Sequence, residues 1–248
     1  RHLGSYKDKL YPYPASMADT DENYAGKPPW VRAQRPTWHG VDGLYNKRRS
    51  MDNFTQAYAE TMRTVDDSVG RIVATLKEEG LLESTLIVFT SDNGFQFGEH
   101  GLIDKRTMYE ASIKIPFIVH CPELFKGGQT REQMVLNVDL FPTLMDVAGA
   151  KTPESVQGQS FWPVLNDAEA KGRTAFIYSY FWESSFPQTP TVIGVRTDQY
   201  KLMRFHGVYG QDELYDIQAD PDEMNNLIGD FYTRTEGGNV DARMRPKG

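Results

Sequence analysis

The stretch STLIVFTSDNG, residues 84–94, constrains this chain most. Its apolar run is β-branched and aromatic, has strand length and is polar on neither face, the pattern of a strand buried on both sides, as in a helix-covered parallel sheet. Before it, residues 51–79 place Tyr58, Met62, Val65, Val69, Ile72, Val73 and Leu76 at spacings of three and four, with charges between them. That spacing predicts an amphipathic helix, with Gly80 as its stop. Helix, short turn and buried strand make half of a doubly wound α/β unit. IPFIVHCP (115–122) reads as a second such strand, and NVDLFPTLMDVAGA (137–150) as a helix with Asp139 near its start and Gly149 as its stop.

After residue 165 the texture changes. TAFIYSYFW, TVIGVRT and QYKLMRF are short alternating or aromatic runs between turn residues, which predicts a small antiparallel sheet. ADPDEMNNL follows, with Asp220 placed as the N-cap of a short helix and Pro221 at its first position. Residues 1–50 are rich in Pro, Gly and aromatics and show no period, so they read as a functional loop or linker, and the last twenty residues read as a loose tail. The expected fold class is therefore α/β: a partial doubly wound mixed sheet flanked by helices, then a small antiparallel sheet with a C-terminal helix. The expected domains are 1–165 and 166–248.

Composition narrows the function classes. The chain has 248 residues, 39% hydrophobic and 25% charged, enough for a core without covalent staples. A net charge of -7 argues against a general nucleic-acid binder, which needs a basic face. The one cysteine, Cys121, excludes an internal disulfide and leaves the compartment open. No apolar run approaches the roughly 20 residues that a membrane helix needs, so no membrane partner is expected. The chain starts without Met, which suggests that it begins inside a longer parent.

The chemistry concentrates after the first strand. In open α/β sheets, ligands bind outside the carboxyl ends of strands, where Asp92 and Asn93 stand. A carboxylate and an amide are hard oxygen donors suited to Ca²⁺ or Mg²⁺, and Gly94 would let the backbone turn sharply beside an ion. Asn-Gly is equally a tight-turn pair. Glu99, His100, Asp104 and Lys105 follow, and a lysine beside a cation would hold an anionic substrate. Set against this, these are solvated loop residues, with Lys105 and Arg106 pairing with Glu110. His39 in TWHG and His206 in RFHG are candidates for a substrate pocket or ordinary surface histidines. His120 reads as a strand residue, Asp66 and Asp67 as capping or salt-bridging, and Asn53 heads a glycosylation sequon.

The run SDNGFQFGEHGLIDKRTMYEASIKIPFIVHCP resembles the second half of the catalytic domain of the sulfatase family, in the alkaline phosphatase superfamily. The likeness continues through NVDLFPTLMDVAGA and VQGQSFWPVL and resumes in GVRTDQYKLMRF and ELYDIQADPDEMNNL, so it covers most of residues 51–228. The resemblance implies that Asp92 and Asn93 are calcium ligands and that Lys105 contacts the sulfate ester, with His100 a further carry-over. It also implies a sulfated small molecule or carbohydrate as substrate, and a periplasmic, secreted or lysosomal parent.

One family feature has no counterpart. The C/S-x-P-x-R motif, whose Cys or Ser becomes formylglycine, is missing: Cys121 is followed by Pro-Glu-Leu, and Ser185 has Pro187 but Thr189 where Arg is needed. The family's paired upstream aspartates are not matched in residues 1–50 either. The expectation is the C-terminal part of a calcium-dependent sulfatase, a sulfuric ester hydrolase completed by the N-terminal half of the same enzyme. Its rivals are a phosphate or phosphonate ester hydrolase of the superfamily and a catalytically inactive scaffold or binding module.

Overall fold

The computed structural model describes residues 2–207 and 212–228; the expected C-terminal tail lies mainly outside the described residues. The contacts divide the chain into two compact units, one of residues 1–61, 93–114 and 177–248, the other of residues 62–92 and 115–176.

In the first unit, the aperiodic opening of the chain is not a plain loop. It carries helices α1 (Asp21–Tyr24), α2 (Pro29–Ala33) and α3 (Leu44–Lys47), each too short to leave a period in the sequence. The Thr20 hydroxyl caps α1 by accepting the Asn23 amide at 3.2 Å, and Pro29 opens α2, where its missing N–H costs no hydrogen bond. The long helix α4 (Met51–Glu78) follows, as its periodicity predicts, and Gly80 ends it with φ of 70°.

The strands of this unit form one sheet in the order β3 (Ala175–Tyr180), β4 (Val192–Thr197), β5 (Tyr200–Phe205), β6 (Glu213–Asp216). β4 and β5 pair antiparallel with Val192 opposite Phe205, and β5 and β6 with Tyr200 opposite Asp216. Alternation puts Val192, Lys201, Met203, Phe205 and Tyr215 inside, where they pack with Val31, Leu102, Met108 and Tyr109. A separate apolar cluster joins Leu44, Met51 and Ile103, with Phe54 and Phe95 against it.

Inside this core lies a charged network. Lys201, with no exposed surface, pairs with Glu110 at 3.1 Å and with Glu223, and Arg196 pairs with Glu110 at 3.2 Å. Burial alone would raise the Glu110 carboxyl, but Lys201 and Arg196 bring it below its ordinary pKa. Glu213 is also fully buried and accepts hydrogen bonds from Tyr109 (2.9 Å) and Tyr215 (2.5 Å). Here burial wins over both tyrosine hydrogen bonds and pushes the carboxyl up to about 7.

The segment expected to form a C-terminal helix is instead a capped turn. Asp220 does accept the amides of Met224 (3.0 Å) and Asn225 (2.7 Å), but Glu223 takes a φ of 53°. Its carboxylate is drawn inward to Lys201 and to the Glu110 amide (2.7 Å), a tertiary pull that overrides helix propensity.

In the second unit, β1 (Ile87–Thr90) pairs with β2 (Phe117–His120), Ile87 opposite His120. The pairing is antiparallel, not the parallel arrangement that the apolar run of residues 85–90 suggests. β2 alternates, with Ile118 and His120 outward and Phe117 and Val119 inward. Helix α6 (Leu140–Val147) starts after Asp139, whose carboxylate does not cap α6 itself: it accepts the nearby Leu136 amide, in the capping box of the preceding turn, and the distant Gln159 amide, and pairs with Arg173. Gly149 stops α6 with φ of 66°. Cys121 is buried, with its thiol facing Glu83 O at 3.6 Å.

Two outcomes follow. A carboxyl titrating at about 7 when folded and at about 4.5 when unfolded binds more protons in the folded state, so its contribution to stability is present below pH 4.5 and is lost as pH rises to 7. Urea titrations at pH 5 and pH 8 are expected to show this loss, up to about 3 kcal/mol, and to show it largely abolished in Glu213→Gln. Gly94 has negative φ, so its role is space: a Cβ there would fall on the carbonyl oxygen of Ala111. Gly94→Ala is expected to lower stability by about 2–3 kcal/mol in the same assay, the cost of overpacking against fixed backbone.

Candidate functional site

Four of the predicted site residues, Asp92, Asn93, His100 and Lys105, lie between β1 and β2. Asp92 is exposed, receives the Asn137 side-chain amide on its backbone carbonyl at 2.6 Å and the Ser91 hydroxyl on Oδ1 at 3.4 Å. Asn93 is half-buried and turns its Nδ2 to Gly94 O at 2.6 Å. Their oxygens suit a hard cation as part of a coordination shell of about six to eight. Among the described residues, no group of three or more His, Cys, Asp or Glu side chains gathers closely enough to hold a metal.

From Asn93 to Ile113 the chain is held from within. Gly94 N donates to Ser112 O (2.8 Å), and Gln96 N donates to Asp104 O (2.7 Å). The Gln96 side chain has no exposed surface and accepts the hydroxyls of Thr107 (2.9 Å) and Ser112 (3.2 Å) on Oε1. Gly98, His100 and Gly101 all have positive φ, and the Tyr24 hydroxyl donates to His100 O at 3.0 Å. A side chain at 101 would strike Tyr24 and Arg35, so glycine is needed there on two counts.

His100 lies in the interior, 2% exposed, its ring stacked on Tyr109 at 3.9 Å. Burial, then Lys27 and Lys201, hold its imidazole well below its ordinary pKa. His206 is exposed at the end of β5 and donates its backbone amide to Thr191 O (2.9 Å). His39 is nearly enclosed, with Nδ1 3.3 Å from Asp104 Oδ2.

Lys105 is the one exposed residue in the span 93–113. The expected pairing of Lys105 and Arg106 with Glu110 does not occur, because Glu110 is taken by Arg196 and Lys201. Arg106 instead binds Asp104 at 2.6 Å, approaches Glu183 at 3.5 Å and lies over the Phe186 ring at 3.4 Å. Lys105 has no acidic partner among the described residues. Sequence reasoning missed Glu183, Phe186, Glu213 and Glu223, which lie some 80 to 120 positions away in the chain and carry no local signal.

Among the described residues, no helix is long and apolar enough to cross a membrane. Two family profiles match: Sulfatase over residues 2–150, and N-sulphoglucosamine sulphohydrolase, C-terminal, over residues 98–245. The chain is 39% identical to an N-acetylglucosamine-6-O-sulfatase of Bacteroides thetaiotaomicron, over 92% of this chain and 51% of that one. It superposes with a TM-score of 0.81 and 28% identity on BT4656 in complex with its substrate D-glucosamine-2-N,6-O-disulfate, covering 96% of this chain and 59% of that one. A phosphonate monoester hydrolase from Silicibacter pomeroyi matches with a TM-score of 0.71 and 27% identity, over 91% of this chain and 47% of that one. The chain thus spans about half the length of the curated relatives it matches. With a family profile over more than half of its residues, the chain belongs to the sulfatase family.

Proposed function

We propose that this chain carries the sulfate-anchoring part of a sulfatase that hydrolyses sulfate esters of amino sugars, cleaving the ester to inorganic sulfate and the free alcohol. The observation that carries the reading is Lys105: an exposed ammonium without an acidic partner among the described residues, flanked by a buried Asp104 and a half-buried Arg106 that already neutralise each other. Such a cation suits a sulfate oxygen, and its attraction grows as negative charge develops on the departing groups. The amino-sugar substrate is supported by the sequence identity to the N-acetylglucosamine-6-O-sulfatase.

Asp92 and Asn93 are proposed as two oxygen ligands of a divalent cation, Ca²⁺ first and Mg²⁺ second, from the chemistry of the pair. When bound, that ion would supply Lewis-acid polarisation of the sulfate group. The formylglycine nucleophile and the remaining ligands are assigned to the N-terminal half of the same enzyme, since no C/S-x-P-x-R motif occurs here. In the second unit, Met62, Val65, Ile72, Ile118, Phe141 and Leu144 are each exposed large apolar side chains. A reading as phosphonate hydrolase draws on the Silicibacter pomeroyi likeness alone.

The test uses the chain together with whatever coding sequence precedes it in its gene. With calcium present, sulfate release from N-acetylglucosamine 6-sulfate is expected, with a much lower rate on the matching phosphate and phosphonate esters. Lys105→Ala is expected to lower kcat/KM by about 10²–10³-fold, in the range of a lost transition-state contact. Asp92→Ala is expected to abolish the stimulation by added Ca²⁺, and a preference for phosphonate esters would replace the sulfatase reading with its rival.

A further inference from the structure

Asp104, Lys105 and Arg106 alternate in exposure: 104 is buried, 105 exposed and 106 mostly covered. What fixes the two inward side chains therefore fixes where the outward ammonium stands. The fixing elements come from two distant parts of the first unit. Gly40 forms an antiparallel bridge with Leu102, Val41 N donates to Gly101 O (3.0 Å), and Ile103 N donates to His39 O (2.7 Å). This short ladder sets His39 across from residues 103 and 104, with its Nδ1 3.3 Å from Asp104 Oδ2. On the other side, Phe186 meets the His39 ring edge-on at 5.0 Å and stacks on the Arg106 guanidinium at 3.4 Å. The Nε2 atom of His39 is buried and has no hydrogen-bond partner, so the ring is held by Asp104 and by aromatic packing, with Trp38 at 5.1 Å on a further side.

We propose that His39 is a positioning residue for Lys105: with Phe186 it clamps Asp104 and Arg106 so that the intervening ammonium projects in a single direction toward the sulfate. The proposal rests on the reading of Lys105 as the sulfate anchor. Asp104 has two oxygens and two claimants. Arg106 binds Oδ1 at 2.6 Å, while Oδ2 is buried and makes no hydrogen bond, with His39 Nδ1 packed 3.3 Å from it, so His39 restrains the carboxylate by close packing and Arg106 by a charged hydrogen bond. Losing the His39 side chain opens space beside that oxygen, and the direction of the Asp104 carboxylate then depends on Arg106, while the backbone bonds to residues 96 and 39–41 keep the register of the loop.

The experiment uses the 248-residue chain and needs no turnover. Its lysines are reductively methylated with ¹³C, the Lys105 resonance is assigned by its loss in Lys105→Arg, and inorganic sulfate and glucosamine 6-sulfate are titrated separately. Amide hydrogen exchange at residues 103–107 is followed in parallel. In the unsubstituted chain the Lys105 resonance is expected to move on addition of either anion. His39→Ala is expected to raise exchange at residues 104–106 about tenfold and to weaken the Lys105 response about tenfold, whereas His39→Asn, which keeps a polar side chain packed beside Asp104, should recover most of both. Phe186→Ala, a change in a surface loop, is expected to act in the same direction and provides the test if His39→Ala does not fold. Unchanged exchange in both variants would overturn the clamp, and raised exchange with an unchanged Lys105 response would overturn its positioning role while leaving Lys105 as the anchor. A Lys105 resonance that ignores both anions in the unsubstituted chain would overturn the anchor itself, and the positioning proposal with it.

Discussion

The first unit depends on a lysine that has no contact with water. Lys201 sits on the inner face of β5 between Glu110 and Glu223, and the Glu110 amide in turn donates to the Glu223 carboxylate. An ion buried this way is costly to desolvate, and removing one partner strands the others at a cost of order 3–5 kcal/mol. The arrangement is therefore a constraint more than a source of net stability. It requires that three segments remote in sequence, the start of α5 (Glu110–Ile113), the middle of the sheet and the turn after β6, meet with their charges matched. The hydrogen bonds from Tyr109 and Tyr215 to Glu213 add a second polar junction beside it, and Tyr109 immediately precedes Glu110. The loop with Lys105 is thus tied to the sheet at its C-terminal end, as Gln96 ties it internally at its other end.

Between those two ties the backbone has little freedom. Gly98 and Gly101 take left-handed conformations that suit glycine, but His100 takes one at φ of 58°, where a side chain is disfavoured. Stacking on Tyr109 and the hydrogen bond from Tyr24 to its carbonyl hold it there. The histidine of the GEHG run is thus a fixture of the interior, and the strain it carries shapes a turn that delivers the next residues back toward Gln96.

The sequence made the secondary structure legible where periodicity was long. α4 declares itself through seven apolar positions, and the short strands of the antiparallel sheet through their alternation. β1 and β2 were legible as strands, but a run polar on neither face carries no information on the direction of its partner, and the antiparallel pairing had to come from the fold. The helices of residues 21–47 run for four or five residues, a turn or so each, and leave no periodic trace. Asp220 signalled a cap correctly, yet the helix behind it lost to the pull of Lys201 on Glu223, an interaction over 22 residues that no local pattern contains. For the candidate site, the residue types in SDNG and GEHGLIDK suggested chemistry, and the structure added which of them face inward. It separated His100, in the interior, from Lys105, at the surface, although five positions of sequence gave no reason to treat them differently.

If Lys105 anchors a sulfate as proposed, charge pairing also reconciles an acidic chain with an anionic ligand. A net charge of -7 would repel a sulfate ester if charge acted as an average. Within a Debye length of roughly 8 Å at physiological salt, local pairing decides instead. Of the acids next to Lys105 in the sequence, Asp104 is taken by Arg106 and Glu110 by Arg196 and Lys201. Each pairing also removes a cation from competition, so the loop does not present a basic patch of the kind that binds polyphosphate chains. It presents one ammonium on a backbone fixed from beneath. A sulfate monoester carries a single negative charge, and under the proposed function one fixed cation meets that need where a cluster would bind more highly charged anions in preference.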